Sequence, residues 1–450
     1  MADEVDVVVV GLGVGGEEVA GRLAEAGLTV VGIEHRLVGG ECPYWGCIPS
    51  KMMIRAANSL AEARRVPGLA GSATVDPDWT PVAKRIREEA TDDWDDKVAV
   101  ERFTGKGGRF IRGFGRLAGP GRVEVGDEVF QARRGVVIGV GTAPSVPPID
   151  GLAGTPYWTN REAIEAETLP DSLLVLGGGA IGLELAQVFA RFEVTVTVVE
   201  AMDRLLAMEE PESSELVAKV FAAEGIVVRT GVRATRVDYD GQQLTLTVHS
   251  GESYVGQKLL VATGRRANLG DLGLGSVGLD ERARFINVDE WMRAGEGLWA
   301  VGDVTGRGAF THMAMYQADV AVRDILGQGG PAADYRALPR VTFTDPEIGA
   351  VGLTEAQARE QGIAVRTAHT DLTASTRGWI HKAGNEGFIK LVSDGEVLVG
   401  ATSAGPVGGE VLGALAVAVH GRVPVTTLRS MMYAYPTFHR AIEAALKELG

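Results

Sequence analysis

Cysteine is almost missing from this 450-residue chain, which has only Cys42 and Cys47. Two are too few for the disulfide framework of a secreted domain, so the pair reads as chemistry rather than scaffolding. Long apolar runs are absent as well, and none reaches the roughly 18 residues needed to span a bilayer. The acidic start MADEVD leads straight into an apolar strand and does not read as a secretory leader. Positive charge is in the minority, 44 Lys and Arg against 59 Asp and Glu, a net charge of −15. That balance argues against nucleic acid or an anionic membrane surface as partner. Low-complexity segments and short-period repeats are also lacking. These absences predict a cytoplasmic protein that engages neither membrane nor nucleic acid.

Glycine is abundant, at 61 residues, which predicts many tight turns and close backbone approaches. The length suggests roughly three domains. An apolar strand, VDVVVV (Val5 to Val10), precedes GLGVGG and the helical pattern EEVAGRLAEAG. Gly11, Gly13 and Gly16 fit G-x-G-x-x-G, and the next strand ends in Glu34, where an acid can hydrogen-bond ribose hydroxyls. Gly-rich turns also serve tight strand–helix packing, but the strand, helix and acid together favour a dinucleotide site. The pattern recurs in SLLVLGGGAIGLELAQVFARFEVTVTVVE, with Gly177, Gly179, Gly182 and a terminal Glu200. Two fingerprints imply two dinucleotides on two similar domains. Further on, GEGLWAVGDVTG reads as a strand (Leu298 to Val301) ending at Asp303, and from about Arg340 the pattern turns to mixed strand and helix.

The segment GGECPYWGCIPSK, Gly39 to Lys51, holds both cysteines. In a regular helix residues five apart lie roughly 8 to 9 Å apart between Cα atoms, whereas a disulfide needs about 4.4 to 6.8 Å. A bonded pair therefore requires a distorted turn entering a helix, and Pro43 and Gly46 suit that break. The helical pattern IPSKMMIRAANSLAEARR puts Cys47 near a helix N-terminus with Lys51 one turn on, both of which favour a thiolate. The alternative is a pair of buried thiols acting as small core hydrophobes. A resident metal would want more ligands, and the nearest histidine, His35, has no partner motif.

This segment resembles the redox-active segment of the flavoprotein disulfide reductases, the pyridine nucleotide-disulfide oxidoreductases that include dihydrolipoamide dehydrogenase, glutathione reductase and mercuric reductase. GLGVGG, GGGAIGLELA, VATGRRAN, WAVGD, FTDPEIGAVGLTE and YPT follow in that family's order along the chain. The resemblance implies an α/β fold: two Rossmann-like dinucleotide-binding domains and a C-terminal α+β dimerisation domain in a homodimer. The FAD domain would span 1–148 and continue at 268–336, with the NAD(P) domain at 149–267 and the interface domain at 337–450. Gly11, Gly13, Gly16 and Glu34 would hold the adenosine half of FAD. Gly40, Gly115, Gly141, Thr142 and Met313 would line it, and Asp303 would bind its ribityl chain. Cys47 would face the flavin and Cys42 the acceptor. Lys51 would lie beside flavin N5 and pair with Glu184, where a cation stabilises negative charge on the reduced ring. Glu184 reads alternatively as an exposed helix position, but its LELA setting is apolar. His312 would position the flavin through its backbone. Gly177, Gly179, Gly182 and Gly264 would cradle the nicotinamide nucleotide, and the small Ala180 leaves its pocket open. Glu200 would repel a 2′-phosphate, and the nearest arginine, Arg204, reads as a surface residue, so NADH is expected rather than NADPH.

Disulfide-reducing members end in His-Pro-Thr-x-x-Glu, whose histidine carries a proton for the interchange thiol. Here YAYPTFHRAIE puts Tyr435 and Arg440 at those places. A phenol, with an ordinary pKa near 10, is a poor general base at neutral pH. Mercuric reductase also has a Tyr there, but with a C-terminal cysteine pair that this chain lacks; soluble transhydrogenase has Tyr-Pro-Thr without the full redox pair. His439 is either a substitute proton carrier or an interface residue. Trp299 reads as core or pocket wall, and Trp45, between the cysteines, as a shaper of the acceptor side. The expected activity moves electrons from NADH through FAD and Cys42–Cys47 to a small acceptor: a disulfide, a quinone or a metal ion. The alternatives are a dihydrolipoamide dehydrogenase proper and a low-turnover redox-sensing flavoprotein; retention of Lys51 and Glu184 argues against the latter.

Overall fold

The computed structural model describes residues 2–449, so Met1 and Gly450, the outer limits of the expected domains, lie outside the described residues. The chain forms two compact units, each gathered from three stretches. The first takes the residues up to Ser50, Lys84–Ser145 and Arg265–Asp334; the second takes Lys51–Ala83, Val146–Gly264 and the chain from Tyr335 onward.

The first unit is built on β1 (Asp3–Val10), whose run of valines is buried on both faces. Such unbroken apolarity is what a strand needs when helices or loops cover both sides of a parallel sheet. β1 pairs in parallel with β2 (Val30–Glu34) on one side and with the strand Glu128–Ile138 on the other. β3 (Arg109–Arg112) extends the sheet beyond β2, and Leu298–Ala300 extends it beyond Glu128–Ile138. Helix α1 (Val14–Glu25) connects β1 to β2 and packs against the helix Thr311–Ile325. Val8, Val10, Ile33, Val136, Ile138 and Leu298 form the core of one sheet face.

The second unit repeats the device. Ser172–Leu176, Thr195–Val199, Val227–Arg229 and Lys258–Val261 make a parallel four-stranded sheet, with the helix Ala180–Arg191 after its first strand. The same unit holds an antiparallel five-stranded sheet from Pro339 to Gly405, covered by the helices Gly408–His420 and Ala441–Glu448 around Leu391, Leu412 and Leu446. In that sheet Lys390 is only 7 % exposed, and its ammonium meets Glu210 at 3.0 Å, Glu212 at 2.7 Å and Glu355 at 3.1 Å. No helix among the described residues is long and apolar enough to cross a membrane.

The two Gly-rich turns share one steric rule. Gly11 and Gly177 have φ of +90° and +115°, in the region glycine tolerates. A Cβ on Gly16 would lie 1.9 Å from the Gly11 carbonyl oxygen, and one on Gly182 would lie 2.3 Å from that of Gly177. The third glycine therefore lets each helix close onto its own turn.

Candidate active site

The cysteine segment begins where two backbones touch. Gly39 bridges to Gly13, and a Cβ on Gly40 would lie 2.8 Å from the Gly13 Cα. α2 (Glu41–Trp45) follows, Gly46 breaks it at φ −129° and ψ −117°, and α3 (Cys47–Arg65) begins at the second cysteine. The break is thus at Gly46 alone. Pro43 sits in the first turn of α2, where a missing N–H costs no hydrogen bond. Cys42 and Cys47 are both thiols, with no disulfide between them. Hydrogen bonding to Cys47 pushes the Cys42 thiol pKa upward and burial adds to it, while a hydrogen bond to Thr311 works against both. The Cys47 sulfur lies 3.2 Å from the Thr311 hydroxyl. Sequence reasoning took His312 and Met313 from FTHMAMYQ and passed over Thr311; its place at the start of a helical pattern is the signal that was available. Trp45 is half-buried against Tyr44, whereas Trp299 is core, its indole N–H donating to Asp324.

Around the expected ribityl position, the Thr142 hydroxyl donates to Asp303 at 2.7 Å. Burial holds the Asp303 carboxyl above its ordinary range; the Thr142 bond and Arg265 work against that, and Glu41 works with it. Arg265, missed within VATGRRAN, donates to the Thr142 hydroxyl at 2.8 Å and its carbonyl at 2.9 Å, and reaches Glu41 at 3.4 Å. Gly141 has φ +61° with open space where a Cβ would go, and Met313 is buried. Gly115 packs against Val10 and Ile33, so a side chain there would collide with β1 and β2.

The two strand-end acids are held alike. Glu34 accepts from the amides of Leu12 at 2.9 Å and Arg36 at 2.7 Å. Burial would raise it, yet His35 and those two amides keep the carboxyl below its ordinary range. Glu200 accepts from the amides of Gly178 and Met202, the latter at 2.6 Å. Gly179 and Gly264 face open space. Arg204 is not a loose surface residue as expected: it donates to the carbonyls of Leu206 and Ala207 and to Ser214, so its guanidinium is committed to its own turn.

Lys51 and Glu184 do pair, at 2.7 Å. Glu184 is 6 % exposed, which removes the reading of an exposed position, and its other oxygen accepts from the Phe343 amide at 2.8 Å. The Lys51 ammonium also lies 4.5 Å above the Phe343 ring. Tyr435 is 66 % exposed, and the Arg440 guanidinium lies 5.4 Å from its ring. Arg440 is anchored by the Tyr433 carbonyl at 2.9 Å and Glu443 at 3.0 Å. His439 is half-buried, 3.5 Å from the Thr437 hydroxyl.

Comparison with known proteins accords with this geometry. Residues 5–318 match the family described as pyridine nucleotide-disulphide oxidoreductase, and residues 338–446 match its dimerisation domain. A dihydrolipoyl dehydrogenase of Thermus scotoductus is 34% identical, covering 99% of this chain and 97% of that one. A mercuric reductase of Streptomyces lividans is 35% identical, covering 98% and 95%. The crystal structure of LpdA from Mycobacterium tuberculosis superposes with a TM-score of 0.87 at 26% identity over 99% of both chains. The HOCl-induced flavoprotein disulfide reductase RclA of Escherichia coli gives 0.86 at 24% identity, covering 98% and 99%, a likeness of fold alone. The chain belongs to the pyridine nucleotide-disulphide oxidoreductase family.

Proposed function

We propose that this protein is a flavin-dependent oxidoreductase. In this reading it takes two electrons from NADH and passes them through the Cys42–Cys47 pair to a small acceptor that needs no proton relay, a quinone or a metal ion. Bound FAD would supply reversible hydride acceptance. The residues fit it: open space at Gly141, a carboxylate at Glu34 for ribose hydroxyls, and the half-buried Asp303 for the ribityl chain. Lys51, fixed by Glu184, would place a cation that favours negative charge on its neighbour. Glu200 as a carboxylate, with Arg204 committed elsewhere, favours NADH over NADPH. The dimerisation domain supports a homodimer.

The observation that carries the acceptor reading is the Tyr435–Arg440 contact. A phenol beside a guanidinium offers two donors where a proton relay needs an imidazole held by a carboxylate. The relative named mercuric reductase favours a metal ion, and the relative named dihydrolipoyl dehydrogenase favours a second reading in which lipoamide is the substrate. Steady-state kinetics with NADH and a quinone or Hg²⁺, against dihydrolipoamide with NAD, separates them. Loss of general acid–base help predicts lipoamide turnover lower by about 10² to 10⁴ than in a tuned enzyme. Turnover on the order of hundreds per second with dihydrolipoamide would restore the second reading.

A further inference from the structure

A lysine ammonium ends a flexible four-carbon stem, so its surroundings decide where the charge stands. For Lys51, two contacts lead to one residue. The ammonium lies 4.5 Å from the centre of the Phe343 ring and 2.7 Å from the Glu184 carboxylate. The other oxygen of that carboxylate accepts from the Phe343 amide at 2.8 Å. Phe343 thus meets the cation with its ring and meets the cation's counter-charge with its backbone.

The Phe343 backbone is itself clamped by the helix Ala180–Arg191. Glu184, Gln187 and Arg191 are three and four residues apart and all buried, so they form one polar stripe on that helix. Gln187 accepts from the Asp345 amide at 2.7 Å and donates to the Asp345 carbonyl at 2.9 Å. Arg191 and, from α3, Arg65 each donate to the Asp345 carboxylate at 2.8 Å. Residues 343 and 345 are therefore both tied down, and the ring cannot drift without breaking buried hydrogen bonds.

We infer that Phe343 is a positioning residue. Its ring face and its amide hold the Lys51 ammonium and the Glu184 carboxylate in one arrangement, which fixes how strongly the cation favours negative charge nearby. This rests on reading Lys51 as the cation beside the flavin. A hydride adds one negative charge to the group that accepts it, so a fixed cation there shifts the equilibrium toward reduction. A ring face suits the task because it attracts a cation without carrying a charge of its own. A second carboxylate in its place would oppose the charge that Lys51 supplies.

The test is an anaerobic equilibrium between the holoenzyme and the two-electron dye phenosafranine, with no nicotinamide nucleotide present. Both cysteines are changed to serine, so that the flavin alone takes electrons from the dye. The quantity read from absorbance is the ratio of reduced to oxidised dye at which half the flavin is reduced. In that background, Phe343→Leu keeps the bulk and the amide but removes the ring face, and Phe343→Tyr restores the face. Leucine should raise the ratio about three- to tenfold, the worth of one ammonium over a ring, and tyrosine should return it to within about twofold. Lys51→Met should raise it further. Should the leucine protein lose its flavin, Phe343→Met supplies the same comparison. A ratio that Lys51→Met moves but leucine and methionine do not overturns the proposal and leaves Phe343 as a pocket wall. A ratio that Lys51→Met leaves unmoved overturns the reading of Lys51 itself, and the proposal with it.

Discussion

Cys42 and Cys47 are five residues apart and chemically unlike. The Cys42 thiol is raised by its hydrogen bond to Cys47 and by burial, and Cys47 stands at the first residue of α3. Anaerobic two-electron reduction should therefore give a long-wavelength thiolate-to-flavin absorbance that Cys47→Ser abolishes. Cys42→Ser should show it without any reductant. Identical spectra from the two variants would mean the thiols are assigned the wrong way round. At the other nucleotide, Glu200→Gln with Ala201→Arg should cut the kcat/KM ratio of NADH to NADPH roughly tenfold, an effect worth one charged hydrogen bond. An unchanged ratio would put the ribose pocket elsewhere. Residues of this kind were legible when their signal was local: Glu34 and Glu200 close a strand a fixed distance from a Gly-rich turn. Thr311 and Arg265 were not, because the sulfur and the Glu41 carboxylate they meet lie about 260 and 220 residues upstream, and the start of a helical pattern was the one local mark of Thr311.

Among the elements, the two strand–turn–helix units and α3 were readable from period and punctuation. The strand order was not, since Leu298–Ala300 finds its place only by pairing with Glu128–Ile138. The third glycine of each turn gives a paired test. Gly16→Ala should cost FAD retention, and Gly182→Ala should spare FAD while weakening NADH binding, because each methyl strikes the carbonyl of its own turn. Flavin absorbance per chain and NADH titration measure the two. Lys390 is an element-scale feature that the pattern of FIKLVS did not reveal, since a lysine inside a buried strand reads as a breach of alternation. Burial disfavours its charge, but Glu212, Glu210 and Glu355 prevail and push its pKa up to about 12 from an ordinary 10.5. A raised cation adds stability that is fully present below pH 10.5 and is lost as pH climbs through about 12. Lys390→Met should thus destabilise by about 3 to 5 kcal/mol at pH 8, because it leaves carboxylates buried without their cation. Urea unfolding at pH 8 and pH 11 should show the gap from wild type narrowing at the higher pH.

For the whole molecule, the match of residues 338–446 to a dimerisation domain predicts a dimer in solution, measurable by analytical ultracentrifugation. A fully active monomer at micromolar concentration would remove any role for a neighbouring chain at the site. Each unit is also stitched from three stretches that alternate along the chain. During synthesis the strand Glu128–Ile138 emerges well before Leu298–Ala300, its neighbour in the sheet. At about 5 to 20 residues per second the nascent chain would carry that open sheet edge for roughly 8 to 32 s. The interleaved chain order thus makes the earliest strands wait for a partner made well past the middle of the chain. A ribosome stalled between those strands would hold a client for chaperones.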